Sequence, residues 1–93
     1  MDKKQLVSIG HGLSPVVIVG NKGLTENLHE EIERALNDHE LIKIKLVAEN
    51  NERKLLSKAI CDHHGAELIQ QIGKVILVLR RATTPKVKTS NLI

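Results

Sequence analysis

Gly20-Asn21-Lys22-Gly23 sets two glycines around a cation. Glycine lets the chain turn sharply and brings backbone close to a ligand. Lys22 adds a mobile positive charge, and the helix expected to follow offers free N–H groups and the positive end of its dipole. Together these make a cradle for a phosphate or a sugar-phosphate backbone. Taken alone, the same four residues also fit a plain strand-to-helix turn.

The other candidate chemistry is thinner. Gly10-x-Gly12 has Pro15 where a dinucleotide fingerprint wants its third glycine, and no Gly-Lys-Ser/Thr closes a P-loop. Nucleotide hydrolysis is not expected. Cys61, His63 and His64 fall on the last turn of a predicted helix, with Cys61 and His64 sharing a face and His63 on the apolar stripe. A zinc site needs three or four ligands, and there is neither a Cys-x-x-Cys nor a His-x3-His. Histidines at a helix C-terminus are favoured by its dipole, so neither metal nor cofactor is expected. His29 and His39 carry no signature. Glu26, Glu30 and Glu33 share one helical face without an apolar setting to raise a pKa, so they read as a solvated face and no catalytic residue is assigned.

The elements that must position the loop can be read along the chain. Asp2 caps a helix over residues 3–12, and Val16 to Val19 forms a buried strand. Thr25 caps a helix to His39 that turns Leu28, Ile32, Ala35, Leu36 and His39 inward. Leu41 to Val47 alternates Ile42, Ile44 and Leu46 with Lys43, Lys45 and Val47, the period of a half-buried strand. Asn50 or Asn51 caps a third helix with Leu55, Leu56, Ala59, Ile60 and His63 inside, and Gly65 stops it. Residues 66–72 and 74–81 form two strands joined through Gly73-Lys74. The predicted class is α/β of the two-layer α+β type, in the order α-β-α-β-α-β-β. The crossovers favour parallel pairing, and the final hairpin adds an antiparallel strand to a mixed four-stranded sheet with packed helices. Residues 1–82 make one domain, followed by a basic, flexible tail over 83–93.

Composition narrows the partners. The 93 residues contain no Phe, Trp or Tyr, which removes base stacking on aromatic platforms and aromatic cages. The core must be aliphatic. One cysteine, Cys61, forms no internal disulfide, in keeping with a reducing compartment. The apolar runs are far shorter than the roughly 20 residues of a membrane span, no export signal is read, and a cytoplasmic location is expected. The net charge of +3 hides a segregation. Residues 26–40 stand at −5, whereas Lys74, Arg80, Arg81, Lys86 and Lys88 make the C-terminal stretch +5 with no acid. A polyanion partner suits the basic part.

The run Leu13-Ser-Pro-Val-Val-Ile-Val-Gly-Asn-Lys-Gly-Leu-Thr25, with His29-Glu-Glu-Ile-Glu-Arg-Ala-Leu36 and His39-Glu-Leu-Ile-Lys-Ile-Lys45, closely resembles the CRM domain (chloroplast RNA splicing and ribosome maturation) in its single-domain bacterial YhbY-type form. The resemblance continues through Lys58-Ala-Ile-Cys-Asp62 and Lys74-Val-Ile-Leu-Val-Leu-Arg-Arg81. It implies an RNA-binding domain with the fold of the C-terminal domain of translation initiation factor three. It also implies that Gly20, Asn21, Lys22 and Gly23 take the role of a KH-like Gly-x-x-Gly loop, here joining a strand to a helix. Association with large-subunit ribosomal precursors and a part in ribosome assembly are implied too, with no catalysis and no cofactor. In the first helix Val7, Ser8 and Ile9 stand where the family would supply basic residues.

The residues expected to contact RNA are Gly20, Asn21, Lys22, Gly23, Leu24 and Thr25, extended by Lys43, Lys45, Arg53, Lys54, Lys58, Arg80 and Arg81. Without rings, recognition would rest on shape, phosphates and 2′-hydroxyls. The alternative is a protein-interaction module whose acidic helix docks on a basic ribosomal protein.

Overall fold

The computed structural model describes residues 1–82 and 90–92. Asp2 opens helix α1 (Lys3–His11) with a reciprocal capping box: its carboxylate accepts from the Gln5 N–H at 2.8 Å, and the Gln5 side chain accepts from the Asp2 N–H at 2.9 Å. Strand β1 (Pro15–Val19) leads through the glycine loop into α2 (Glu26–His39), capped by Thr25 as expected. Then follow β2 (Leu41–Leu46), α3 (Asn50–His64), β3 (Glu67–Ile72) and β4 (Val75–Leu79). Gly65 closes α3 in the left-handed region. Its N-cap is Glu49, which makes no side-chain capping bond, rather than Asn50 or Asn51.

The sheet order is β1-β2-β4-β3, with β1 parallel to β2 and β4 antiparallel to both of its neighbours. Thus β2 and β3 point the same way, as a crossover through α3 allows, yet β4 lies between them. The physical reason is composition. Val-Ile-Leu-Val-Leu buries Ile76 and Val78 on one face and Leu77 and Leu79 on the other, so β4 gains most from a central position. The polar Glu-Leu-Ile-Gln-Gln-Ile of β3 takes the edge.

One face is covered by α2 and α3. Ile32, Leu36 and Ile60 close over Val17, Val19, Ile42, Ile44, Leu46, Ile76 and Val78. On the other, α1 packs Leu6 against Leu41, Ile69, Leu77 and Leu79. Gly10 permits that approach, since a Cβ there would sit 2.6 Å from a methyl carbon of Leu77.

Two further expectations are corrected. First, β1 is not buried on both sides: Val17 and Val19 are, but Val16 and Ile18 are 49% and 59% exposed, because among the described residues α1 does not extend over this edge strand. Second, the inner stripe of α3 is rotated. Leu56, Ser57, Ile60, Cys61 and His64 face inward, while Leu55 is 70% exposed and His63 lies outside. The true stripe keeps the same period but includes a serine and a histidine, which an apolar template passes over.

Glu40 joins α2 to β2 with φ at +64°, the one non-glycine residue among those described to hold a positive φ. Its carbonyl accepts from Arg80 N–H at 2.8 Å, and its carboxylate accepts from Ser90 Oγ at 2.6 Å and Ala82 N–H at 2.7 Å. Such a conformation costs on the order of 1–3 kcal/mol and persists where neighbours over-determine it. Asn91 adds bonds to the carbonyls of His39 and Leu41. Ser90, Asn91 and Leu92 are thereby docked on this junction; the rest of the expected flexible tail, 83–89 and 93, lies outside the described residues.

Candidate nucleic-acid interface

The parallel pairing of β1 with β2 brings their C-terminal ends together: Val47 N–H bonds the Val19 carbonyl at 2.9 Å. Leu46 N–H bonds the carbonyl of Lys74 at 2.6 Å, so the hairpin turn arrives at the same end. This end of the sheet therefore gathers the 20–23 loop, the Gly73-Lys74 turn, and the N-termini of both α2 and α3.

The loop is a hydrogen-bonded β-turn, with Gly23 N–H donating to the Gly20 carbonyl at 3.0 Å. Asn21 and Lys22 occupy its exposed tip. The two glycines differ. Gly23 has φ of +70° and is required by the backbone itself, whereas Gly20 holds no positive φ and has open space where a Cβ would project. Thr25 is engaged as the α2 cap, and Leu24 packs against the core. Leu24 serves the fold rather than presenting a free apolar surface.

Beside the loop, the sheet face that α1 leaves open carries a row across all four strands. Ile18 is opposite Lys45, Lys45 opposite Val75, and Val75 opposite Ile72. A second row, Pro15, Lys43, Leu77, Gln70, runs partly beneath α1, where Leu77 is buried against Gly10. Ile18 and Ile72 are about equally exposed, so the open row offers apolar side chains at its edges with Lys45 and Val75 between them. Of the expected contact residues, Lys22 and Lys45 lie at this end of the sheet with Lys74, and Lys43 stands two residues back along β2, paired with Pro15 at the start of β1. Lys74 belongs to the basic C-terminal stretch of the sequence, but its place in a turn next to β2 follows from the strand order alone.

The remaining cations are engaged in the fold or lie on other faces, Arg53 being near this end, in the first turn of α3. Arg53 donates to the Ala48 carbonyl at 2.7 Å and clamps the loop before α3. Lys58 pairs with Asp62 at 2.9 Å on the outer face of α3, where Lys54 is exposed one turn earlier. Arg80 and Arg81 follow β4 at the far end of the sheet, since Leu79 pairs with Leu41. Arg81 is exposed there. Arg80 donates to Glu33 Oε1 at 2.9 Å, the His64 carbonyl at 3.0 Å and Asn37 Oδ1 at 2.8 Å. Arg80, followed by His64, holds the Glu33 carboxyl down at about 2.

Burial, then the charges of Asp62 and Glu67, push the Cys61 thiol above its ordinary value, which disfavours the nucleophilic thiolate. His29, His63 and His64 place three ring nitrogens within 4.8 Å of one another. They lie on the helical side of the molecule, on α2 and α3. No helix among the described residues is long and apolar enough to cross a membrane.

Comparison with known proteins agrees with this architecture. The chain is 50% identical over 91 residues to the "Probable RNA-binding protein" of Pseudomonas aeruginosa, covering 97% of this chain and 88% of that one. It is 40% identical over 87 residues to the "RNA-binding protein" of Haemophilus influenzae, covering 92% and 88%. The solution structure of a hypothetical protein of Staphylococcus aureus superposes with a TM-score of 0.78 at 29% identity, over 90% of this chain and 88% of that one. The model of the CRS1/YhbY (CRM) domain matches residues 1–80, and the chain belongs to that family.

Proposed function

We propose that this protein is a non-enzymatic RNA-binding protein acting on ribosomal RNA in precursors of the large subunit, where it assists assembly in the cytoplasm. The observation that carries the RNA reading is the convergence at one end of the sheet. The 20–23 turn, two helix N-termini, Lys22, Lys45 and Lys74 all lie there. Backbone N–H groups and mobile ammonium groups suit phosphates, and the open Ile18-Lys45-Val75-Ile72 row gives a shallow surface for riboses and base edges without any ring. The names of the two curated relatives support the same partner. The ribosomal target rests on the family resemblance.

Filter binding to ribosomal RNA fragments over a salt series tests this. Neutralising several phosphates makes the logarithm of affinity fall steeply and linearly with the logarithm of salt. Lys22→Glu should weaken binding throughout. A flat salt response, or full affinity in Lys22→Glu, would sink the loop proposal.

A further inference from the structure

The histidine cluster on α2 and α3 is remote in sequence, with His29 far upstream of His63 and His64, and it lies outside the proposed RNA surface. His64 is the anchor. Its side chain is only 2% exposed, and its Nδ1 lies 3.0 Å from Glu33 Oε1. An ionised carboxylate only accepts hydrogen bonds, so Nδ1 carries the proton. The other nitrogen, Nε2, is thereby aimed at His29 Nδ1, 3.0 Å away. Exposed His63 stacks on His29 with ring centroids 3.9 Å apart.

A buried imidazole with one nitrogen fixed by a carboxylate and the other facing two more imidazoles is the carboxylate–histidine arrangement that orients zinc ligands. Glu33 is itself locked by Arg80. Tetrahedral bonds of ~2.0–2.1 Å to nitrogen place ligand atoms about 3.3 Å apart, and the separations here, from 3.0 Å to at most 4.8 Å, are close to that span. Three neutral nitrogen donors suit a borderline-soft divalent ion and not magnesium or calcium.

We propose that His29, His63 and His64 form a zinc site, with Glu33 as the positioning residue for His64 and water at the fourth position. Binding requires His29 to carry its ring proton on Nε2, freeing Nδ1, with no change in charge. The ion ties the first turns of α2 to the last turn of α3.

The test uses the full chain without a histidine tag, stripped with EDTA and dialysed free of it. Zinc sulfate is then titrated by calorimetry, and thermal melting is followed alongside. The expected result is one zinc per chain, a Tm raised by several degrees at saturating zinc, and no shift with magnesium. His29→Gln and His63→Gln should each weaken zinc binding by ~10-fold or more; exposed His63 can be replaced with the metal-free melting temperature unchanged, whereas His29→Gln also removes the bond to buried His64 and is compared with its own metal-free melt. Glu33→Gln should weaken zinc binding by roughly 10–100-fold. Absence of zinc binding overturns the proposal. So does binding that survives in the His29→Gln/His63→Gln double variant, or that disappears in Cys61→Ser instead.

Discussion

The guanidinium of Arg80 and the carboxylate of Glu33 close at 2.9 Å between the end of β4 and the middle of α2. A residue that stands with the basic surface in sequence is thus a fastener. Arg80→Ala removes this pair together with the bonds to Asn37 and the His64 carbonyl. Arg80 is 21% exposed and Glu33 49% exposed, so solvent screening reduces the value of the pair. The expected loss is about 1–2 kcal/mol, read by urea unfolding. RNA affinity of the folded variant should stay within about twofold, since one phosphate contact would itself change the salt slope by ~1. A lowered slope would place Arg80 in the interface.

Gly20→Ala separates folding from binding. Gly20 has open space where a methyl would project and no positive φ, so unfolding free energy should change by less than about 0.5 kcal/mol. If backbone approaches phosphate at this turn, the added Cβ stands between them, and RNA affinity should fall by ~10-fold. Unchanged affinity would leave the turn without a cradle role. Gly23→Ala is no substitute, because at φ of +70° it is strained with or without RNA.

Much of the scaffold was legible because local rules suffice for it. The Asp2 and Thr25 caps, the alternation of Ile42, Ile44 and Leu46, and the left-handed stop at Gly65 are all set by residues within one turn of each other. What local pattern could not carry was adjacency. Placement of β4 between β2 and β3 depends on which strand gains most from burial on both faces, and that same placement brings Lys74 beside the end of β2. The exposure of Val16 and Ile18 is equally invisible in a continuous apolar run, since it depends on how far α1 extends over the sheet. His64 escaped for another reason. On an apolar template it looks like an outsider, and its partners Glu33 and His29 are supplied by another helix.

Lys45 and Lys74 should act as a pair. Both are exposed, and both flank the junction where Leu46 meets the hairpin turn. Replacing both by Gln should reduce the magnitude of the salt slope by about 2 while leaving stability nearly unchanged. Arg81→Gln, at the far end of the sheet, should leave the slope as it is. Equal effects from the two variants would mean that the whole basic surface binds diffusely.

Acid should loosen the α2–β2 junction. The Ser90 hydroxyl, then the Ala82 N–H, hold the Glu40 carboxyl below its ordinary value of 4.5 against the opposing effect of burial, with Arg81 the cation facing it. A depressed folded value means that the contribution is fully present above the unfolded pKa and is lost as pH falls through the folded one. The stability difference between the wild type and Glu40→Gln should therefore be constant above about pH 5 and shrink below about 4.5. Urea midpoints from about pH 3 to about pH 7 measure it, and a difference that grows on acidification would contradict the assignment.

The exposed acids of α2 decide between the RNA reading and docking on a basic protein. Glu33 is already held by Arg80 and His64, so a fair test leaves it alone and reverses Glu30 and Glu31, both exposed. On a surface that binds polyanion elsewhere, these carboxylates only repel it. Glu30→Lys/Glu31→Lys should hence keep or modestly tighten RNA binding at low salt, by about two- to threefold, with the effect fading as the Debye length shrinks below ~10 Å. Docking on a basic ribosomal protein makes the opposite demand, because complementary charges become like charges and association in pull-downs should vanish. Sedimentation of the variant with ribosomal precursors reads both at once. Retention favours contact through the sheet end and loop, and loss transfers the interface to the acidic helix.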